Sequence, residues 1–279
     1  MAPGACRPPL VVSFRGMCFA YDARPPELPA DLVLPTMAGG AAAEPLELTS
    51  ADGTRFSAAL AEAPDGAEPG VVILPDVRGL YRFYIELAER FAQAGHPAIA
   101  IDYFGRTAGT GERDEEFDYW PHVTETRVDN VQADVAAALA ALRERTGTTA
   151  VVTVGFCFGG SQSFMAATSA DLALDGAVGF YGSLVPRRKG APAALDHADE
   201  ARCPVLGLFG GADENIPPDQ VAAFEQALAR AGVEHEVHTY PGAPHSFFDR
   251  SFAEHAEACE DAWRRVLGFL GKVAAPVAG

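Results

Sequence analysis

The chain has 279 residues, which is enough for one large domain or two small ones and for a substantial buried core. Hydrophobic residues make up 48% of the sequence and charged residues 21%, a composition typical of a folded globular protein rather than a disordered one. There are 21 basic and 38 acidic residues, so the net charge is −17 with neutral histidines. This charge disfavours nonspecific binding to nucleic acid, and an acidic substrate would need arginines placed within its site.

The cysteines and the first residues of the chain exclude further classes of protein. There is no C-x-x-C pair and no H-E-x-x-H motif, so we expect neither a disulfide framework nor a bound metal. No apolar run reaches the ~20 residues of a membrane-spanning helix, and the short apolar cluster at 10–12 is a poor signal peptide. We therefore expect a cytoplasmic protein with reduced thiols and no membrane partner. The cysteines are Cys6, Cys18, Cys157, Cys203 and Cys259.

Residues 1–45 differ in composition from the rest of the chain. They are rich in alanine, proline and glycine, which predicts an extended N-terminal arm. The arm is either an unstructured leader or a segment packed on the main domain, with Phe19 and Tyr21 as anchors. From residue 46 onward, short apolar runs alternate with amphipathic segments, so residues 46–279 are predicted to form a single domain.

Eight short runs predict β-strands. The first two flank Asp52-Gly53, a typical hairpin turn, and are expected to pair antiparallel. The other six are mostly apolar and separated by helical segments, which is the pattern of a parallel sheet buried on both faces. The runs are Leu46–Ser50, Arg55–Glu62, Gly70–Leu74, Pro97–Ile101, Ala150–Gly155, Gly176–Phe180, Pro204–Phe209 and Glu234–Tyr240.

Four amphipathic segments between and after these runs predict helices. Each has apolar residues recurring every three or four positions, and three of them end at a glycine. Strands and helices in alternation predict an α/β fold with a doubly wound, mostly parallel sheet and helices on both faces. In such sheets ligands bind at the carboxyl ends of the strands. The helices are expected near Tyr84–Ala94, Glu125–Arg145 and Phe252–Leu270, and between Pro217-Pro218 and Gly232.

The strand predicted at Ala150–Gly155 runs into a G-x-C-x-G motif centred on Cys157. This is the pattern of a nucleophile elbow with cysteine in place of serine, followed by a helix expected from Ser161. The residues two before and two after the nucleophile must be small because the turn is sharp, and Gly155 and Gly159 satisfy this. A place at a helix N-terminus also favours a thiolate and points the Phe158 amide at a developing oxyanion. The alternative is a buried structural cysteine.

Two other predicted strands end in loops that carry the partners a nucleophile needs. Asp213 follows the strand at Pro204–Phe209, and His245 follows the last strand. The order cysteine, aspartate, histidine is the order of nucleophile, acid and histidine in α/β-hydrolases. Taken singly, Asp213 could be a turn residue and His245 a surface histidine. Their joint occurrence at strand ends favours a catalytic triad with Cys157.

These motifs resemble the dienelactone hydrolase family, the carboxymethylenebutenolidases and their relatives, over residues 46–274. The resemblance also rests on the runs Val72–Leu80, Ala100–Gly105 and Phe180–Gly182. It implies an α/β-hydrolase fold and a cofactor-independent hydrolase of small lactones or esters. By the same resemblance Asp76, which stands where the family usually has glutamate, would activate the thiol. The following amide, that of Val77, would complete the oxyanion hole with Phe158.

The resemblance also indicates which residues would contact the substrate. Arg113 aligns with a family arginine that holds a substrate carboxylate, and Arg250 is a candidate for the second, one residue further along than the family spacing. Arg78 could replace it, and Tyr181 belongs to a matching strand end. This would favour an anionic substrate. The alternative for Arg113 and Arg250 is a solvated surface charge.

The sequence therefore predicts a mechanism but leaves one step open. Cys157 would attack the carbonyl and form a thioester, and His245, oriented by Asp213, would transfer protons and activate water. Either His245 or Asp76 would deprotonate the thiol. The competing hypotheses are a general carboxylesterase or acyltransferase of secondary metabolism, and a catalytically silent binding protein. The oligomeric state, monomer or homodimer, is left open.

Overall fold

The computed structural model describes residues 22–34, 41–64, 68–186, 190–249 and 253–274. In these ranges eight strands form one sheet. The strands are β1 (Glu44–Thr49), β2 (Arg55–Ala61), β3 (Gly70–Leu74), β4 (Ala98–Ile101), β5 (Val151–Phe156), β6 (Gly176–Phe180), β7 (Val205–Gly210) and β8 (His235–Tyr240). The helices are α1 (Arg82–Gln93), α2 (Gly105–Ala108), α3 (Tyr119–Glu125), α4 (Val128–Thr146), α5 (Phe158–Ala166), α6 (Pro218–Ala231) and α7 (Ala256–Ala274).

The order of strands in the sheet is β1-β2-β4-β3-β5-β6-β7-β8. Strand β2 is antiparallel to β1 and β4, and the strands from β4 to β8 run parallel. The predicted doubly wound, mostly parallel sheet is confirmed. After β4 the chain passes back over β3 to form β5, so the carboxyl ends of β3 and β5 border the crevice where such folds bind ligands.

The two faces of the sheet belong to two apolar cores. Alternate residues of β3 point to opposite faces, with Val71 and Ile73 in one core and Val72 and Leu74 in the other. Helices α1 and α7 contribute to the first core, where the rings of Phe91 and Trp263 lie 5.1 Å apart. Helix α4 contributes to the second. The central strands are therefore buried on both sides, as their apolar sequences predict.

The helix predicted from about Glu125 to Arg145 is α4, which begins three residues later, at Val128, and ends at Thr146. Helix α3 ends at Glu125, and Thr126 and Arg127 are extended, with ψ of 134° and 146°, before α4 begins at Val128. Helix α3 itself was not predicted, because its seven residues include a proline and are too few to show an amphipathic period. Helix α5 begins at Phe158, three residues earlier than expected, because Cys157 itself forms the turn.

The described part of the N-terminal arm, residues 22–34, lies against the main domain. The indole nitrogen of Trp263 donates a hydrogen bond to the carbonyl of Pro26 at 3.1 Å, and Arg264 pairs with Asp31. Ala23 is fully buried. The anchors expected from the sequence, Phe19 and Tyr21, lie outside the described residues.

Across the described ranges, no helix has both the length and the apolar character required to cross a bilayer.

Close backbone approach fixes the turn between β5 and α5. A Cβ atom on Gly155 would lie 2.0 Å from the carbonyl oxygen of Gly159. A Cβ atom on Gly159 would lie 2.0 Å from the carbonyl oxygen of Leu74, in β3. Backbone atoms cannot move aside as side chains can, so both positions require glycine.

We expect Gly159→Ala to lower the free energy of unfolding by at least about 2 kcal/mol, because the added methyl overlaps the backbone of β3. Gly268→Ala is the matched control, since Gly268 is exposed on α7 with nothing within 4 Å of an added Cβ atom. That change should stabilise the protein by about 0.5–1 kcal/mol through helix propensity. Urea denaturation measures both values. Equal changes in the free energy of unfolding for the two substitutions would contradict the close approach of Gly159 to the backbone of β3.

Candidate active site

Cys157 occupies the sharp turn between β5 and α5. Its backbone has φ of 54° and ψ of −110°, a conformation that costs about 1–3 kcal/mol for a residue other than glycine. Its amide donates to the carbonyl of Phe180 at 3.0 Å, and its carbonyl accepts from the amide of Ser161 at 3.2 Å. The side chain thus stands at the carboxyl end of β5 and the N-terminus of α5, and the residue is buried.

His245 and Asp213 form a buried pair on the loops after β8 and β7. Nδ1 of His245 lies 2.6 Å from Oδ2 of Asp213, and their side chains are 6% and 1% exposed. The other carboxylate oxygen of Asp213 accepts a hydrogen bond from the amide of Asn215 at 2.9 Å. The imidazole is therefore held with Nδ1 towards the carboxylate and Nε2 facing away from it. The alternative reading of His245 as a surface histidine is wrong.

The electrostatic environment of His245 links it to Cys157. Burial of the imidazole by itself would lower the pKa of His245, but the charge of Cys157 and the interactions with Asp213 and Cys157 outweigh it and raise the pKa to about 10. Nε2, the ring nitrogen that faces away from Asp213, is buried. Cys157 and Asp213 both interact with the imidazole of His245, so the structure brings the three predicted triad residues together.

Asp76 follows β3 and is bound by Arg78. The guanidinium Nη2 lies 2.8 Å from Oδ2 of Asp76, and the Arg78 amide donates to Oδ1 at 2.9 Å. The Tyr81 hydroxyl also donates to Oδ2, at 3.3 Å. The side chain of Asp76 is only 1% exposed. In this structure the Asp76 carboxylate is therefore held by a cation and a phenol on its own loop.

Two tyrosines that the sequence analysis did not single out hold the backbone of this loop. The amide of Asp76 donates to the hydroxyl of Tyr84, in α1, at 3.0 Å. The hydroxyl of Tyr103 donates to the carbonyl of Asp76 at 2.6 Å and also to the carbonyl of Pro75. The sequence signal for Tyr103 was its place two residues after β4, within the run Ala100–Gly105 that resembles the family. These contacts fix the position of the Val77 amide, which comes next in the chain.

Tyr181 lies beside the triad. Its ring centre is 5.0 Å from that of His245, and the residue is fully buried with φ of 38°. Burial raises the pKa of Tyr181 well above its usual range, and nearby negative charge on Cys157 and Asp76 adds to the effect. Tyr181, Cys157 and Asp76 are thus close neighbours, as expected for residues at the ends of β6, β5 and β3.

Val77 and Phe158, the predicted oxyanion-hole residues, follow the neighbouring strands β3 and β5. Leu74 and Gly155 are directly paired in the sheet, so the two chain segments leave it side by side. The Phe158 amide belongs to the first turn of α5, where backbone N–H groups have no partner within the helix. The position suits donation to an oxyanion, and that role stays a prediction.

Arg113 is bound within the protein. Its Nη2 lies 2.7 Å from Oδ2 of Asp102 and 2.6 Å from the carbonyl of Gly109, and its guanidinium stacks on Phe117 at 4.6 Å. Its side chain is 4% exposed, so the alternative of a solvated surface charge is wrong for Arg113. That Arg113 binds substrate stays a prediction. A substrate carboxylate would have to compete with Asp102 for the guanidinium. Arg250 lies outside the described residues.

A cavity of about 710 Å³ adjoins the start of α5. Its walls include Phe158 and Ser161 from α5 and Trp120 from α3. Among the described residues there is no cluster of three or more histidine, cysteine or acidic side chains that could hold a metal ion. Cys157 precedes the wall residue Phe158 in the chain, and that is the connection between this cavity and the triad.

Comparison with known proteins gives consistent relatives. The sequence model of the dienelactone hydrolase family matches residues 56–274. A Salmonella typhimurium protein named "Putative carboxymethylenebutenolidase" is 31% identical over 220 residues, which cover 76% of this chain and 80% of that protein. A Saccharolobus solfataricus protein of the same name is 28% identical over 260 residues, covering 80% of this chain and 96% of its own.

Solved structures agree. The crystal structure described as "Putative Dienelactone Hydrolase" from Klebsiella pneumoniae superposes with a TM-score of 0.71 at 29% identity, covering 83% of this chain and 99% of that one. The residues that match the family model, 56–274, make up most of the chain. The chain belongs to the dienelactone hydrolase family and has its α/β-hydrolase fold.

Proposed function

We propose that this protein is a hydrolase of ester or lactone bonds that uses Cys157 as its nucleophile and forms a thioester acyl-enzyme. Membership of the dienelactone hydrolase family supports the hydrolase class. The observation that supports the nucleophile is geometric: Cys157 occupies the sharp turn at the carboxyl end of β5, and the imidazole with which it interacts is buried 2.6 Å from the Asp213 carboxylate. A cysteine that served only to fill the core would not need a buried histidine and aspartate beside it.

The first half of the reaction forms the thioester. The Cys157 thiolate adds to the carbonyl carbon, and the carbonyl oxygen takes up the electron pair and negative charge. The amides of Val77 and Phe158 stabilise this oxyanion, a contribution of about 2.7–4 kcal/mol for one such donor. When the oxyanion collapses, the bond to the alcohol oxygen breaks, and protonated His245 gives its proton to that oxygen.

The second half regenerates the enzyme. Neutral His245 takes a proton from water as the water oxygen attacks the thioester carbonyl. Collapse of this intermediate releases the carboxylic acid and returns the electron pair to the sulfur. Asp213 holds the imidazole in one orientation throughout and stabilises its protonated form.

We propose that His245, rather than Asp76, takes the thiol proton of Cys157. Asp76 is held by Arg78 and Tyr81, so it would have to leave both to reach the sulfur. Asp76 also has a shorter side chain than the glutamate usual in the family. The raised pKa of His245 supports a resting pair of thiolate and imidazolium.

The charges of the site bear on the substrate. An anionic substrate would compete with Asp76 for Arg78 and with Asp102 for Arg113, and both carboxylates are buried beside their arginines. Burial raises the pKa of Asp102, and the hydrogen bonds and charge of Arg113 oppose that rise. We propose that Arg113 acts mainly in the fold, by neutralising Asp102.

The nucleophile is tested by Cys157→Ala. We expect turnover of p-nitrophenyl acetate to fall to background, since no other described thiol lies beside His245, while the circular dichroism spectrum and the unfolding transition stay close to those of the wild type. The triad is tested in parallel by Asp213→Asn, which should reduce kcat by two or more orders of magnitude because the imidazole loses its orientation. Turnover in Cys157→Ala at the wild-type rate would refute the cysteine mechanism.

The resting ion pair is tested by the pH dependence of alkylation with iodoacetamide. We expect the apparent pKa of Cys157 to lie below the ~8.5 of an ordinary thiol, because imidazolium stabilises the thiolate. His245→Gln should raise it and slow alkylation at pH 6.5 by about tenfold, which corresponds to one pKa unit. Burial raises the pKa of Cys203 and of Cys259 to about 12, so these thiols should contribute little.

Two controls accompany this measurement. Cys157→Ala gives the background from every other thiol, and His238→Gln, in β8, removes a histidine outside the triad. An alkylation profile that His245→Gln leaves unchanged would assign the deprotonation of Cys157 to another group, Asp76 being the first to examine.

The role of Arg113 is tested by its stability cost. Arg113→Ala should lower the free energy of unfolding by about 3–5 kcal/mol, because Asp102 would remain buried without its partner. Arg82→Ala removes the exposed pair with Glu86 and should cost less than about 1 kcal/mol. A small stability loss in Arg113→Ala, combined with a selective loss of activity on an anionic hemisuccinate ester, would show instead that Arg113 binds substrate.

A further inference from the structure

The side chain of Tyr103 contacts both chain segments that carry the predicted oxyanion donors. Tyr103 follows β4, which pairs with β3 on the side away from β5. Its hydroxyl donates to the carbonyl of Asp76, in the loop after β3. Its ring lies 5.4 Å from that of Phe158, after β5, in an edge-to-face arrangement. One side chain, only 3% exposed, thus links the segment of Val77 to that of Phe158.

The hydrogen bond from Tyr103 sets the direction of the Val77 N–H. The carbonyl of Asp76 and the amide of Val77 belong to one peptide unit, which is trans. In a planar trans peptide the C=O and N–H bonds point in opposite directions. The Tyr103 hydroxyl holds this carbonyl at 2.6 Å, and the Gly79 amide holds it at 3.1 Å. The Val77 N–H therefore points away from both donors, and turning it would break both hydrogen bonds.

The same hydroxyl strengthens the Val77 N–H as a donor. A carbonyl oxygen that accepts a hydrogen bond draws electron density through its peptide unit, and cooperative strengthening of this kind amounts to about 10–30% per bond. In the described ranges the Val77 N–H donates to no backbone carbonyl. The acceptor that the proposed mechanism assigns to it is the oxyanion formed at Cys157.

Tyr84 holds the same loop through a different peptide unit. Its hydroxyl accepts a hydrogen bond from the amide of Asp76 at 3.0 Å. That amide belongs to the unit formed by Pro75 and Asp76, one before the unit that carries the Val77 N–H. Loss of the Tyr84 hydroxyl would therefore loosen the loop without releasing the carbonyl of Asp76, so the two effects can be separated.

We propose that Tyr103 is a positioning residue for the oxyanion hole, whose hydroxyl orients and polarises the Val77 amide through the carbonyl of Asp76. Its ring contact with Phe158 ties this loop to the second donor segment. The inference rests on the proposed hydrolysis at Cys157, in which the Val77 amide is one of two donors. The role assigned to Tyr103 concerns stabilisation of the oxyanion and not formation of the thiolate.

The test is Tyr103→Phe, which removes the hydroxyl and keeps the ring. We expect kcat and kcat/KM for p-nitrophenyl acetate to fall together by about tenfold, less than the roughly 10²–10³ lost with a whole donor, because this donor is weakened only in the transition state. Alkylation of Cys157 by iodoacetamide should stay within about twofold of the wild-type rate, since it requires the thiolate but forms no oxyanion.

Two further variants assign the effect to the peptide unit of Asp76 and Val77. Tyr240→Phe removes the hydroxyl that donates to Asp261 at 2.9 Å and should leave kcat/KM unchanged. Tyr84→Phe should reduce kcat/KM by less than Tyr103→Phe does, because the carbonyl of Asp76 keeps both of its donors. Circular dichroism and urea denaturation show whether each variant is folded.

A double-mutant cycle tests the route through Val77. Val77→Pro removes the N–H itself, and Val77 is the second residue of the turn from Asp76 to Gly79, where proline is favoured. In this background Tyr103→Phe should change kcat/KM by less than about twofold, because the donor on which Tyr103 acts is absent. A further loss of about tenfold would show that Tyr103 acts by another route.

The outcomes separate this inference from the proposed function. The inference alone is wrong if hydrolysis depends on Cys157 but Tyr103→Phe keeps kcat/KM within about twofold of the wild type. It is equally wrong if Tyr84→Phe costs as much activity, or if alkylation slows as much as hydrolysis, since either result indicates a general loosening of the site. If turnover persists in Cys157→Ala, or if no ester is hydrolysed, the proposed function itself fails.

Discussion

The arrangement of the site depends on the contact between the backbones of two chain segments, the elbow at Cys157 and the loop that leaves β3. Gly159 lies so close to the carbonyl of Leu74 that no side chain fits between them. Because β3 and β5 are paired and parallel, this contact places Cys157 and Asp76 at the same edge of the sheet. The positive φ of Cys157 is tolerated because the sheet and α5 fix the residues on either side of it.

Buried carboxylates at three strand ends shape the electrostatics of the site. Asp76 after β3, Asp102 after β4 and Asp213 after β7 are each paired with a basic side chain. The partners are Arg78, Arg113 and His245, respectively. In a chain with a net charge of −17, such local pairing prevents the three carboxylates from adding to one strongly negative centre. It also occupies two of the arginines that would otherwise attract an anionic ligand.

Much of this could be predicted from the sequence, for identifiable reasons. Apolar runs such as Gly70–Leu74 predict buried strands because both of their faces are covered. The spacing of Gly155, Cys157 and Gly159 is a local requirement, so it is visible in the sequence. The pairing of Arg113 with Asp102 depends on how the chain after β4 folds back to the end of that strand. No local sequence pattern indicates which residues such a segment will contact. The hydroxyl contacts of Tyr84 and Tyr103 with the Asp76 backbone could not be predicted for the same reason.

In the proposed mechanism, the burial of Cys157 is connected with the use of sulfur rather than oxygen as the nucleophile. A serine hydroxyl beside His245 would stay protonated until the moment of attack, whereas a thiol can transfer its proton to the imidazole in the resting enzyme. The raised pKa of His245 fits that resting pair, and Asp213 stabilises the cation that results. A resting thiolate is prone to oxidation, and burial of Cys157 limits its contact with small oxidants. The same burial means that an ester must pass the side chains that cover the sulfur before it can react, so these side chains influence which esters are hydrolysed.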